Sequence, residues 1–266
     1  MQQLDDMATT VQTEEVSVAL DGRYLGIDLA WADRNRTGVA VLAWSGQLLS
    51  SRTVLSDKHI LDFIDEHCSG PVVAAVNAPL IVPNEGGQRD CEGDLARDFG
   101  RFQAGPYPAN RRNPALARGP RGGRLAERLG WALDPSVRPS PLVSQAIEVF
   151  PHPAMVSLFG LRTAVPYKAR PGRTLLELQR AYHDLVRYFE DHFGSTLELD
   201  SSIRWHEIRR VIEQASRPFD LRAVEDEIDA ILCAYLAWMW DNEPERLRVY
   251  GDVARGYIVT PEPPEQ

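Results

Sequence analysis

Five oxygen-bearing side chains stand in apolar surroundings, where an isolated carboxylate is costly to desolvate. Asp28 closes the apolar run 24–27, Asn77 follows the run 72–76, and Glu148 lies in the apolar half of 143–150. Asp226 and Asp229 share one stripe of the apolar stretch 219–240, by their three-residue spacing. Carboxylates brought together repel unless a cation neutralises them. Hard oxygen donors suit Mg²⁺ or Mn²⁺. Two such ions about 3.5–4 Å apart clamp the attacking and leaving oxygens of a phosphodiester. Asp28, Asn77, Glu148 and Asp229 are therefore candidate metal ligands, and Asp28, Glu148, Asp226 and Asp229 candidate catalytic acids. The competing reading is a set of separate caps and salt bridges, with Asp226 paired to Arg222 one helical turn away.

The elements that must position these groups follow from periodicity. Strands are expected at 24–28 and 37–44, joined as a hairpin, with a third at 47–54 after the Ser45-Gly46 turn. Ser56 N-caps a helix that ends before Ser69-Gly70-Pro71. The run 72–76 reads as a strand buried on both faces. It returns through that helix, so it can lie parallel beside the first strand. Further on, 88–101 reads as helix, 143–150 as a fifth strand and 153–159 as a short helix. Long helices are expected at 173–193, 204–216 and 219–240, the last N-capped by Asp220. Short strands at 248–250 and 256–260 close the chain. If strands one, four and five are parallel neighbours, their carboxyl ends share the sheet edge at which open α/β sheets bind ligands. Ala230, Cys233 and Ala237 adjoin the Asp226–Asp229 stripe, and such small side chains let a helix approach a sheet closely.

The whole chain of 266 residues carries a net charge of −9, which excludes a protein that is basic overall. Its charge is unevenly spread: eight arginines fall between Arg97 and Arg128, against the acids Asp98 and Glu127. A long basic loop is expected at 102–124, as a functional lid or as a solvated surface segment. Arg111 and Arg112 within it are candidate substrate contacts. Lys168 is read either as a phosphate contact or as a surface lysine. Arg89 is read as a substrate group or as the partner of Glu92 on the same helical turn, and His152 as a positioning group or a structural histidine. The three cysteines are scattered and form no metal-ligand pattern, which fits a reducing cytoplasm. Residues 1–22 lack a signal-peptide pattern and are expected to be a disordered tail, as are 262–266. No run reaches the length of a membrane span. A single domain is expected over 23–261, with a helical insertion at 173–216.

Several segments carry a family resemblance in order: GIDLAW at 26–31, VNAPL at 76–80, RDCE at 89–92, EVFPHPA at 148–154, PYK at 166–168, DEIDAILCAYLA at 226–237 and GYIVTP at 256–261. Together they resemble the predicted ribonuclease-H-like nuclease family, also described as domain of unknown function family 429. The resemblance spans roughly 23–261. It implies an α/β, ribonuclease H-like fold with a five-stranded mixed sheet in the order 3-2-1-4-5. It also implies Mg²⁺- or Mn²⁺-dependent cleavage of a phosphodiester in DNA or RNA, with Asp28, Glu148, Asp226 and Asp229 at the acidic positions. The family usually has Asp where this chain has Asn77, and an amide oxygen binds a metal more weakly. Two alternatives stand beside the nuclease reading. One is a non-catalytic descendant that binds nucleic acid or protein. The other is a phosphotransferase of the actin and sugar-kinase kind, but Leu29-Ala30-Trp31-Ala32 follows Asp28 where that class has a Gly-rich turn. The oligomeric state is left open, a homodimer included.

Overall fold

The structure, a computed structural model, describes residues 21–32 and 35–264. Most of the expected N-terminal tail and the last two residues lie outside this range. The chain begins with β1 (Gly22–Asp28), β2 (Thr37–Ala43) and β3 (Leu48–Val54), followed by α1 (Asp57–His67) and β4 (Val73–Val76). Gly22, expected in the tail, already belongs to β1. Ser56 caps α1 as expected, its hydroxyl accepting from the His59 N–H. Next come α2 (Asp90–Phe99), α3 (Arg121–Leu129), β5 (Gln145–Glu148) and α4 (Pro151–Leu158). Then α5 (Leu175–Leu197), α6 (Ile203–Gln214) and α7 (Pro218–Asn242) lead to β6 (Leu247–Asp252) and β7 (Gly256–Pro261).

The main sheet has five strands in the order β3-β2-β1-β4-β5. β1 runs antiparallel to β2, and β2 to β3, whereas β4 lies parallel to both β1 and β5. Ile27 pairs with Val76, and Val76 with Glu148. Asp28, Asn77 and Glu148 therefore emerge at one carboxyl edge. The backbone ladder reaches that edge: Asn77 N–H donates to Ile27 O, and Val149 N–H to Val76 O.

Alternation sorts each strand between two cores. Tyr24, Ala40, Leu42, Ala75 and Ile147 face α4 to α7. Leu25, Ile27, Val39, Val41 and Val76 face α1 and α3. A smaller cluster joins α2 and α4 to β6 and β7, through Leu95, Phe99, Val156, Tyr250 and Ile258. Among the described residues no helix is long and apolar enough to cross a membrane.

Two expectations need correction. The basic loop stops at Pro120, because Arg121–Leu129 is helical. Its paired glycines pack on the turn after β4: a Cβ on Gly122 would lie 3.0 Å from Pro79 O, and one on Gly123 2.5 Å from Leu80 O. Asp220 is not the N-cap of α7. It sits in the first turn and accepts from the backbone N–H groups of Ser216 and Arg217.

The placement of α7 decides the site. Gly26 on β1 and Gly38 on β2 have no side chains, so the helix backbone rests on the strand backbones. A Cβ on Gly26 would come 1.9 Å from Ala230 O, and one on Gly38 1.8 Å from Asp226 O. This is the close approach that the small-residue stripe anticipated. Gly26→Ala should force α7 outward and lower stability by roughly 2 kcal/mol or more. Gly70→Ala, with nothing within 4 Å of its Cβ, should stay within about 0.5 kcal/mol of the parent. Urea unfolding compares the two, and equal midpoints would contradict the packing argument.

Candidate active site

A cleft of ≈ 700 Å³ opens at the carboxyl edge of the sheet, with Asp28, Asn77, Glu148, His152, Lys168 and Glu225 among its lining residues. Asp28 is delivered by β1, Asn77 by the end of β4, and Lys168 by the loop between α4 and α5. Asn77 Nδ2 donates to Asp28 Oδ1 at 2.6 Å and fixes the carboxylate. Asp229 lies beneath, fully buried on α7. Tyr167 OH donates to its Oδ1 at 2.5 Å, and Lys168 Nζ sits 2.7 Å from its Oδ2. Asp226, one turn earlier, borders a shallower recess that it shares with Asp28 and Arg36. Its ion pair is with Arg36, long at 3.9 Å, and not with Arg222 as the competing reading had it.

Negative charge exceeds positive charge at this point. Burial pushes Asp28 well above the usual carboxylate range; Asp229 and Asp226 add to this, while Lys168 and Asn77 oppose it. Burial also raises Asp226 to about 6, helped by Glu225 and Asp229. Burial works against the charge on Lys168, but Asp229 and Asp28 together hold its ammonium above the ordinary lysine value. Burial lowers His152 to about 4, so its imidazole is neutral at pH 7. That ring stacks on Tyr167 at 5.7 Å, and its Nδ1 has no hydrogen-bond partner among the described residues.

Glu148 belongs to a separate network. Arg89 grips it through both terminal nitrogens, at 2.9 and 2.5 Å, and Leu80 N–H donates to Oε2 at 2.9 Å. The Arg89 Nε donates to Glu92, and Ala109 N–H closes on both Glu92 oxygens. Of the two readings of Arg89, the pairing with Glu92 holds and the substrate contact is corrected: its donors go to two buried carboxylates and to Ile81 O. Glu148 borders the cleft with its oxygens already engaged. Arg111 and Arg112 lie outside the cleft. Arg111 donates to Val82 O and pairs with Glu85, and the Arg112 side chain packs on Gly86. Arg121 is no surface cation. Buried, it ties Asp57 to the carbonyls of Ala30 and Ala32, beyond β1.

Of the four expected metal ligands, Asp28 and Asn77 touch, while Glu148 is held by Arg89 and Asp229 by Lys168 and Tyr167. Among the described residues no three His, Cys, Asp or Glu side chains are placed to hold one metal ion together. The sequence reading missed Tyr167 and Glu225 as site groups, and also Arg170, whose Nη2 reaches Tyr107 OH across the rim at 3.4 Å. The signals available were the place of Tyr167 in the PYK segment and the adjacency of Glu225 to Asp226.

Two outcomes follow. Arg89→Met strands two buried carboxylates and should cost about 3–5 kcal/mol, measured by urea unfolding; an unchanged midpoint would restore a substrate role. For Asp226, the folded value of about 6 exceeds the ordinary 3.8. Its stabilising share is therefore complete below about pH 4 and lost as pH rises through 6. Asp226→Asn should be about 1–2 kcal/mol more stable than the parent at pH 7.5 and no more stable at pH 4. A difference independent of pH would contradict this.

No curated protein and no solved structure matches the chain. The model of the family described as "Protein of unknown function (DUF429)" matches residues 26–255, and the chain belongs to that family.

Proposed function

We propose that this protein is a ribonuclease H-like, Mg²⁺- or Mn²⁺-dependent enzyme that cleaves phosphodiesters of nucleic acid in the cleft at the sheet's carboxyl edge. One observation carries the reading: Asp28 and Asp226 share a recess, and both hold their protons too tightly because burial, with neighbouring carboxylates adding to it, penalises their charge. The strand order β3-β2-β1-β4-β5 supports the ribonuclease H-like assignment.

The donor chemistry fits a hard cation. Magnesium is commonly held through one or two carboxylates, with water and substrate phosphate completing its shell. Asp28 and Asp226 would hold it. Glu148 and Asp229, expected as ligands, are occupied by Arg89 and by Lys168 with Tyr167. When bound, such an ion supplies charge neutralisation at the phosphate and acidifies water. The chain's own groups do the rest. Asn77 orients Asp28. Lys168 and Arg170 present positive charge to a phosphate in the cleft, which both line. Neutral His152 keeps an unpartnered ring nitrogen in the cleft wall without adding charge. Exposed Arg112, Arg118 and Arg128 offer contacts to a polyanion despite the acidic total.

A second reading is favoured by the Asn77–Asp28 hydrogen bond and the lysine already on Asp229: a non-catalytic descendant that binds nucleic acid in the same cleft. One experiment separates them. Purified protein is incubated with single-stranded, duplex and branched DNA and RNA in Mg²⁺ or Mn²⁺. Cleavage should fall at least about 100-fold in Asp28→Asn, with substrate binding retained. A folded parent that binds but cleaves nothing, or an Asp28→Asn variant as active as the parent, would leave the binding reading in place.

A further inference from the structure

We propose that Lys168 is the resident cation of the acidic site and withholds the charge of Asp229 from a divalent ion. The inference rests on the metal reading above, and it concerns how strongly the site attracts that ion. Asp229 is 0% exposed; Tyr167 OH donates to its Oδ1, and Lys168 Nζ forms an ion pair with its Oδ2, which accepts no other hydrogen bond among the described residues. The lysine side chain is 28% exposed, so the ammonium plugs Asp229 from the cleft side. Its own backbone is pinned, because Arg173 Nη1 donates to Lys168 O. This hold on the loop does not pass through the ammonium.

Without the ammonium, Asp229 has only a phenol O–H opposite a full negative charge in a dry setting. A buried carboxylate in that state must take up either a proton or a second cation. Asp226 is one helical turn away on α7, and Asp28 stands at the end of the strand on which that turn rests. Released, Asp229 adds its negative charge to the field of the two carboxylates that border the recess, and that field draws a cation to them. An anionic group in the cleft would act in the same direction by drawing the ammonium toward itself. The geometry makes Lys168 a gate on metal affinity and not a simple substrate contact.

The test is Mn²⁺ binding alone, read by calorimetry and by the electron paramagnetic resonance of free Mn²⁺. Four proteins are compared: the parent, Lys168→Arg, Lys168→Met, and Lys168→Met combined with Asp229→Asn. Lys168→Met should bind Mn²⁺ at least ten-fold more tightly than the parent, and Mn²⁺ should raise its Tm more. Lys168→Arg should behave like the parent, and the double variant should lose the gain. Unchanged or weaker binding by Lys168→Met, or a gain that survives in the double variant, overturns the proposal. Should Lys168→Met fail to fold without metal, recovery in Mn²⁺ supports the gate, and failure to recover in saturating Mn²⁺ contradicts it. Tighter Mn²⁺ binding without cleavage of any nucleic acid keeps the gate and removes the nuclease reading. Cleavage by the parent without the affinity gain does the reverse.

Discussion

The site depends on one contact: α7 lies on β1 and β2 at backbone distance, because Gly26 and Gly38 leave no side chain between them. A helix held off by ordinary side chains would sit higher on the sheet. Asp226 and Asp229 would then face a neighbouring helix or solvent. Here the same approach that fills the core with Ala230 and Ala234 also drives two carboxylates toward the end of β1. Packing and electrostatics are therefore opposed at this spot. The apolar contact of α7 with the sheet stabilises the fold, while the acids it carries are pressed into under-neutralised proximity.

The edge divides into two charge systems with different roles. On one side Arg89, Glu92 and Glu148 form a closed network with most of its polar atoms satisfied, including Leu80 N–H and Ala109 N–H. Such a network holds α2, β5 and the start of the basic loop in register, and it offers little to a ligand. On the other side Asp28, Glu225, Asp226 and Asp229 share Lys168 and a distant Arg36. Charge imbalance there is what the proposed cation would relieve. Perturbed acids in a cleft are what catalytic and ion-binding sites require, although structural ion pairs also perturb their members.

Much of this was legible in the sequence, and the limits have physical causes. Strands and long helices were found because their apolar periods are strong and local. The small-residue stripe on α7 predicted its close docking, since helix spacing alone puts Ala230, Cys233 and Ala237 beside the acids. The helix at Arg121–Leu129 escaped, because two glycines and several arginines mimic a loop; its glycines serve close packing against the turn after β4. Partnerships across long sequence separations were invisible. Glu148 meets Arg89 from 59 residues away, and Arg121 meets Asp57 from 64. Residue type alone marked Glu148 as a buried acid in need of a cation. It did not tell whether that cation is a guanidinium or a metal ion. The same ambiguity hid Lys168, which reads as an ordinary loop lysine until Asp229 is placed beneath it.

The central claim is that the under-neutralised carboxylates are Asp28 and Asp226, with Glu148 committed to Arg89 and Asp229 to Lys168. Anomalous scattering from a crystal of the parent protein soaked in Mn²⁺ tests it directly. The account predicts one peak, about 2.0–2.2 Å from oxygens of Asp28 and Asp226, with the Arg89–Glu148 and Lys168–Asp229 pairs intact. A pair of peaks bridged by Glu148, or no peak beside Asp28 at saturating Mn²⁺, would contradict it.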